Sequence, residues 1–103
     1  MYILCFYVPA SHLESVKTEL FNIGVGKFNN YDQCCWQTLG KGQFRALDQA
    51  KPYIGKHKKL KIVEEWKVEM VCPDNLIEQA VEILKIAHPY EEVAYHALPF
   101  KHL

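Results

Sequence analysis

At 103 residues, half of them apolar, the chain is long enough to bury one hydrophobic core and too short for two. Its 12 lysines and arginines balance 12 aspartates and glutamates, so no net field draws it to nucleic acid, an anionic membrane or acidic substrates. No stretch approaches the roughly 20 apolar residues of a membrane span. Met1 runs into Tyr2–Val8 without a charged leader region or a small-residue cleavage site, so the expected location is the cytoplasm.

The four cysteines, Cys5, Cys34, Cys35 and Cys72, read as free thiols in apolar surroundings rather than as a disulfide framework. Cys34 and Cys35 are adjacent and point to opposite faces if they lie in a strand. No C-x-x-C spacing exists, which argues against a cysteine-type zinc site.

Tyr2–Val8 is a β-rich apolar run suited to a central strand, and Pro9 ends it. Ser11 and Glu14 have capping-box spacing, and Leu13, Val16, Leu20 and Phe21 then share one helical face, with Gly24 as the stop. Tyr31 to Leu39 and Gln43 to Leu47 flank Gly40-Lys41-Gly42, which predicts a β-hairpin turning at the glycines. Ala46 to Lys61, with Pro52, Gly55 and the basic run Lys56-His57-Lys58-Lys59, reads as a long surface loop of the kind that often carries function.

From Ile62 to Cys72 the chain alternates as a long half-buried strand with Trp66 inward and Glu64 near an edge. Pro73 with Asp74 or Asn75 opens a second helix, whose stripe of Leu76, Ile77, Ala80, Val81, Ile83, Leu84 and Ala87 is closed by Pro89. Val93 to Leu98 is the last strand. The expected fold is α+β, a ferredoxin-like β-α-β-β-α-β sandwich with an extra β-hairpin arm, spanning residues 1–103 as one domain. Ile3, Tyr7, Val63, Val71 and Tyr95, read as outward-facing, are too apolar for a solvated sheet, which predicts a sheet-to-sheet homo-oligomer.

Residues 88–96, His-Pro-Tyr-Glu-Glu-Val-Ala-Tyr-His, set an imidazole, two carboxylates and two phenols around a proline, between a helix and a strand. His88, Tyr90, Glu91 and Glu92 are candidate ligand-binding residues. His88 with Glu91 and Glu92 is the candidate set for a divalent metal such as zinc or copper, and a carboxylate beside an imidazole is also an acid–base pair. The plainer reading has His88 bonding the last helical carbonyls and the glutamates solvated.

Arg45, the one arginine, follows Gly40-Lys41-Gly42-Gln43-Phe44, and its planar fork suits a carboxylate or phosphate, with Lys41 and Gly42 beside it. An ion pair with Asp32, Asp48 or another subunit is the alternative. Asn30, Tyr31 and Asp32 complete the candidate ligand set, although Asn and Asp after glycines commonly just close a turn. The chain lacks G-x-S-x-G, H-E-x-x-H and G-x-x-x-x-G-K-[ST] elements, and no catalytic residue is assigned.

In order and spacing, Gly24-Val25-Gly26, Asn30-Tyr31-Asp32, Gly40-Lys41-Gly42-Gln43-Phe44-Arg45, Lys51-Pro52-Tyr53-Ile54-Gly55 and His88-Pro89-Tyr90-Glu91-Glu92-Val93-Ala94-Tyr95 resemble a known domain. It is the PII-like domain inserted in YqfO-type members of the NGG1-interacting-factor family, met here as a chain of its own. The resemblance implies a fold related to PII signalling proteins and CutA, trimeric assembly, and a Gly40 to Lys61 region in the place of the PII ligand loop. The dinuclear metal centre of full-length relatives belongs to flanking domains and is not transferred. Ala46 stands where the family pattern has proline, and Cys35-Trp36 replaces smaller or more polar residues.

The expected function is that of a non-enzymatic, cytoplasmic homotrimer that binds a small anionic ligand or a partner protein near its subunit clefts. The alternative is a copper- or zinc-binding protein of CutA-like type.

Overall fold

In a computed structural model that describes residues 1–103, Tyr2–Val8 forms β1 and Ala10–Asn22 forms α1. Trp36–Arg45 forms β2 and Leu60–Cys72 forms β3. A 3-10 turn, Asp74–Leu76, leads into α2, Ile77–Ala87, and the chain returns as β4, Tyr95–Pro99. The four strands make one antiparallel sheet in the order β2-β3-β1-β4, the ferredoxin-like arrangement.

Strand alternation decides where the core sits. Leu4, Phe6 and Val8 pair with Met70, Val68 and Trp66, so these side chains share one sheet face. There they meet Leu13, Val16 and Leu20 of α1 and Ala80 and Leu84 of α2 in one continuous cluster. Phe6, Leu4, Leu20, Met70 and Leu84 are fully buried, each worth about 1.5–3 kcal/mol of apolar transfer. Both helices cover this face alone. Ile3, Tyr7, Val63 and Val71, on the opposite face, are half-buried by their neighbours, while Leu98 there is 57% exposed and Trp36 69%.

Several expectations are corrected. β2 runs straight through Gly40, Lys41 and Gly42, paired residue by residue with Glu65, Glu64 and Val63. Neither glycine takes a positive φ, so no turn forms there. The hairpin arm is instead β2 with β3, joined by residues 46–59. Its outer half overhangs the helices and gives the molecule a long axis of 46 Å against 24 Å across, which is why Ile62 and Glu64 are exposed although they share the Trp66 face.

Ser11 caps nothing. The helix starts after Pro9, the Ser11 hydroxyl meets His12 Nδ1 at 2.8 Å, and Glu14 pairs with Lys17. Tyr95 pairs with Phe6 and packs on the core, leaving His96 and Leu98 on the open face. Cys34 and Cys35 precede β2 rather than lying in it, and all four thiols are free. Burial pushes the Cys5 and Cys72 thiols up, so both remain protonated.

Candidate functional site

The turn after α2 is built on His88. Its ring is 5% exposed and bridges two parts of the chain. Nδ1 accepts the Tyr90 backbone N–H at 3.1 Å, which leaves Nε2–H to donate to the Tyr7 carbonyl at 2.7 Å. That carbonyl lies at the end of the central strand, so the imidazole fixes the turn to the sheet. Burial lowers the His88 pKa, the Tyr7 bond acts against this, and His12 lowers it further. His88 is therefore a neutral structural bridge, with both nitrogens in use.

The turn and the long loop enclose a cleft of about 420 Å³, within the size range of small-molecule sites. Its walls are mostly apolar. Phe44 closes β2, Leu47, Tyr53 and Ile54 come from the loop, and Tyr90 comes from the turn. The Tyr53 and Tyr90 rings lie 6.1 Å apart at 44°, and the Tyr90 ring stands against His88 at 4.7 Å.

Bonds to main-chain groups hold the loop in place. Both Glu91 carboxylate oxygens accept the Lys51 backbone N–H at 3.0 Å. His57 Nε2–H donates to the Ala50 carbonyl at 2.6 Å, and the Lys58 N–H donates to the Ala46 carbonyl at 2.6 Å. Gly55, at φ +91°, supplies the left-handed turn residue against the Phe44 ring.

Two charged groups of the cleft, Arg45 and Glu65, form no ion pair. Arg45 is exposed at its rim and forms no ion pair; Asp48 pairs with Lys58 at 3.3 Å, and Asp32 lies elsewhere. Glu65 projects a carboxylate into the wall, and the chain's four ion pairs all involve other residues. The seat for that carboxylate is made by Gly42, where any Cβ would overlap Glu65 Oε1. Tyr90 Oη is buried, and the Glu65 carboxylate is the one group beside it that it can bond. Burial, and then the neighbouring Glu65 charge, push the phenol up to about 12.

Of the candidate ligand residues, Arg45, Tyr90, Glu91 and Glu92 line this cleft, while Gly42 and His88 shape it from behind. Lys41 points away, opposite Glu64 on the arm. Asn30, Tyr31 and Asp32 are not brought to it. They form a turn closed by Phe28 and Tyr31, tied through Gly26 N–H to the Val71 carbonyl. That is the other end of the sheet, the length of β1 or about 20 Å away.

The divalent-metal set does not fit. No three His, Cys, Asp or Glu side chains converge on a common point, His88 has no free nitrogen, and Glu91 is bound to the loop backbone. Glu65, Phe44 and Tyr53 are not among the candidate ligand residues, although Phe44 and Tyr53 lie within the quoted motifs. The one signal for Glu65 was a glycine on the neighbouring strand, which becomes informative only once the register is known.

No protein-family model matches the chain. A Bacillus subtilis protein named GTP cyclohydrolase 1 type 2 homolog is 38% identical over 96 residues, which is 93% of this chain and 26% of that protein. The chain thus spans about a quarter of the curated relatives it matches. The crystal structure of a Bacillus cereus protein related to NIF3 superposes with a TM-score of 0.81 at 31% identity, over 98% of this chain and 26% of that one. The PII-like protein CutA from a Nostoc species superposes at 0.70 with 16% identity, over 97% and 81% of the two chains. The chain therefore has the PII-like, CutA-type ferredoxin-like fold, and its sequence is similar to one quarter of the NIF3-related proteins.

Proposed function

We propose that this chain is a non-enzymatic PII-like module that binds a small ligand in the cleft between residues 46–59 and the turn after α2, and that it acts as a cytoplasmic homotrimer. It would correspond to the PII-like insert of YqfO-type NGG1-interacting-factor proteins, a reading supported by the quarter-length match and by the quoted motifs. The cyclohydrolase in the relatives' names belongs to proteins about four times longer and is not assigned to this chain.

The observation that carries the reading is the cleft itself. It is a concave, aromatic-walled space of about 420 Å³ closed on one side by a loop that a few hydrogen bonds and one ion pair hold. Ligand binding orders the 46–59 loop further against Tyr53 and Tyr90, and Arg45 at the rim meets the acidic part of the ligand. His88 keeps the turn in place and touches no ligand.

Native mass spectrometry of gently purified protein tests assembly and occupancy together. A trimer that carries added mass, lost on Tyr53→Ala with Tyr90→Phe, is the expected result. A monomer removes the homotrimer, and added mass that survives the double substitution places the ligand outside the cleft.

A further inference from the structure

We infer that the inner end of the cleft receives a planar nitrogen donor, an amidine or the N–H edge of an aminoheterocycle, with the Glu65 carboxylate as its acceptor. This rests on the ligand-binding reading of the cleft and adds the chemical class of the end that enters first. Four observations carry it.

The first is an unanswered charge. Glu65 is half-buried in a mostly apolar wall, and no lysine or arginine stands within ion-pair reach. The carboxylate has no cationic partner of its own, and a cationic donor arriving with the ligand supplies one. The second is the seat. Gly42 is the position where any side chain would strike Glu65 Oε1, so the backbone is bare where the carboxylate rests.

The third is the neighbouring hydroxyl. Tyr90 Oη is buried beside Glu65 with no partner other than that carboxylate in reach, and its phenol stays protonated there. Its oxygen can accept a second N–H while its proton turns to the carboxylate. Two adjacent acceptors match the paired N–H groups of an amidine edge. The fourth is the shape of the walls, where the Phe44, Tyr53 and Tyr90 rings favour a flat body. An anion at this depth would face the Glu65 charge, which leaves Arg45, at the rim, as the place for any acidic group.

The test is a chemical-shift titration of isotope-labelled protein with benzamidine, and with benzoate and benzyl alcohol as the anionic and neutral molecules of similar ring. Benzamidine should move the Ile54, Tyr53 and Tyr90 signals at concentrations about tenfold below the other two. Glu65→Gln should abolish that preference. So should Gly42→Ala, which displaces the carboxylate and leaves it in the chain.

Equal response to benzoate, or a preference that survives Glu65→Gln, overturns the inference while the cleft remains a ligand site. No cleft response to any of the three probes overturns both readings. A change in subunit number on Glu65→Gln would mean that the carboxylate already meets a second copy, and that too ends the inference.

Discussion

His88 shows how a single residue can be chemically conspicuous and still be structural. Its Nε2–H and Nδ1 both serve the backbone, and its burial opposes the charged form. With a folded pKa below the ordinary 6.5, the unfolded chain binds the extra proton more readily. The contribution is complete above that value and is lost as pH falls through it toward the folded pKa. Urea midpoints should therefore drop between about pH 7.5 and about pH 5.5, and the profile of His88→Gln, compared with wild type, should lack that part of the drop. His12 is the titratable neighbour and is present in both proteins. The motif around His88 was plain in the sequence, but its role was not, because its main partner, Tyr7, is 81 positions away. Glu65 was hidden for a related reason: an alternating strand offers nothing to separate a cleft carboxylate from a solvated one until the glycine beside it is known.

At the scale of elements, local pattern located both helices, the central strand and the long loop, since burial periodicity is written into each segment. It failed at Gly40-Lys41-Gly42. Two glycines around a lysine carry the composition of a turn, yet both continue β2, and the Glu65 side chain from β3 lies over Gly42. The loop that does turn the chain depends on Glu91, whose carboxylate holds the Lys51 N–H across 40 positions. Glu91→Ala should cost about 1 kcal/mol or less of global stability, because the pair is exposed. Its larger effect should be local, with faster hydrogen exchange at Lys51 and quicker proteolytic cutting within residues 47–59. Unchanged exchange at Lys51 would mean that the loop is held by the His57 and Lys58 bonds alone.

For the whole molecule, two helices on one sheet face leave the other uncovered. The apolar composition of that face was legible in the sequence, apart from Tyr95, which the register turns inward. Leu98 stands exposed on β4 and contributes nothing to the protomer core, so Leu98→Arg should fold normally by circular dichroism. If the open face joins subunits, the same substitution should lower the native mass from trimer to monomer. A trimer that persists would move the interface to the overhanging arm, where Leu39, Leu60 and Ile62 are also exposed.

The bonds that fasten the 46–59 loop are made to Lys51 N–H, the Ala50 carbonyl and the Ala46 carbonyl, groups that every residue type except proline at a donor position supplies. Apart from His57, Gly55 and the Asp48–Lys58 pair, side chains along the loop are thus free to change without loosening it. Selection can rewrite what the cleft recognises, one loop residue at a time, while the scaffold that presents it stays the same.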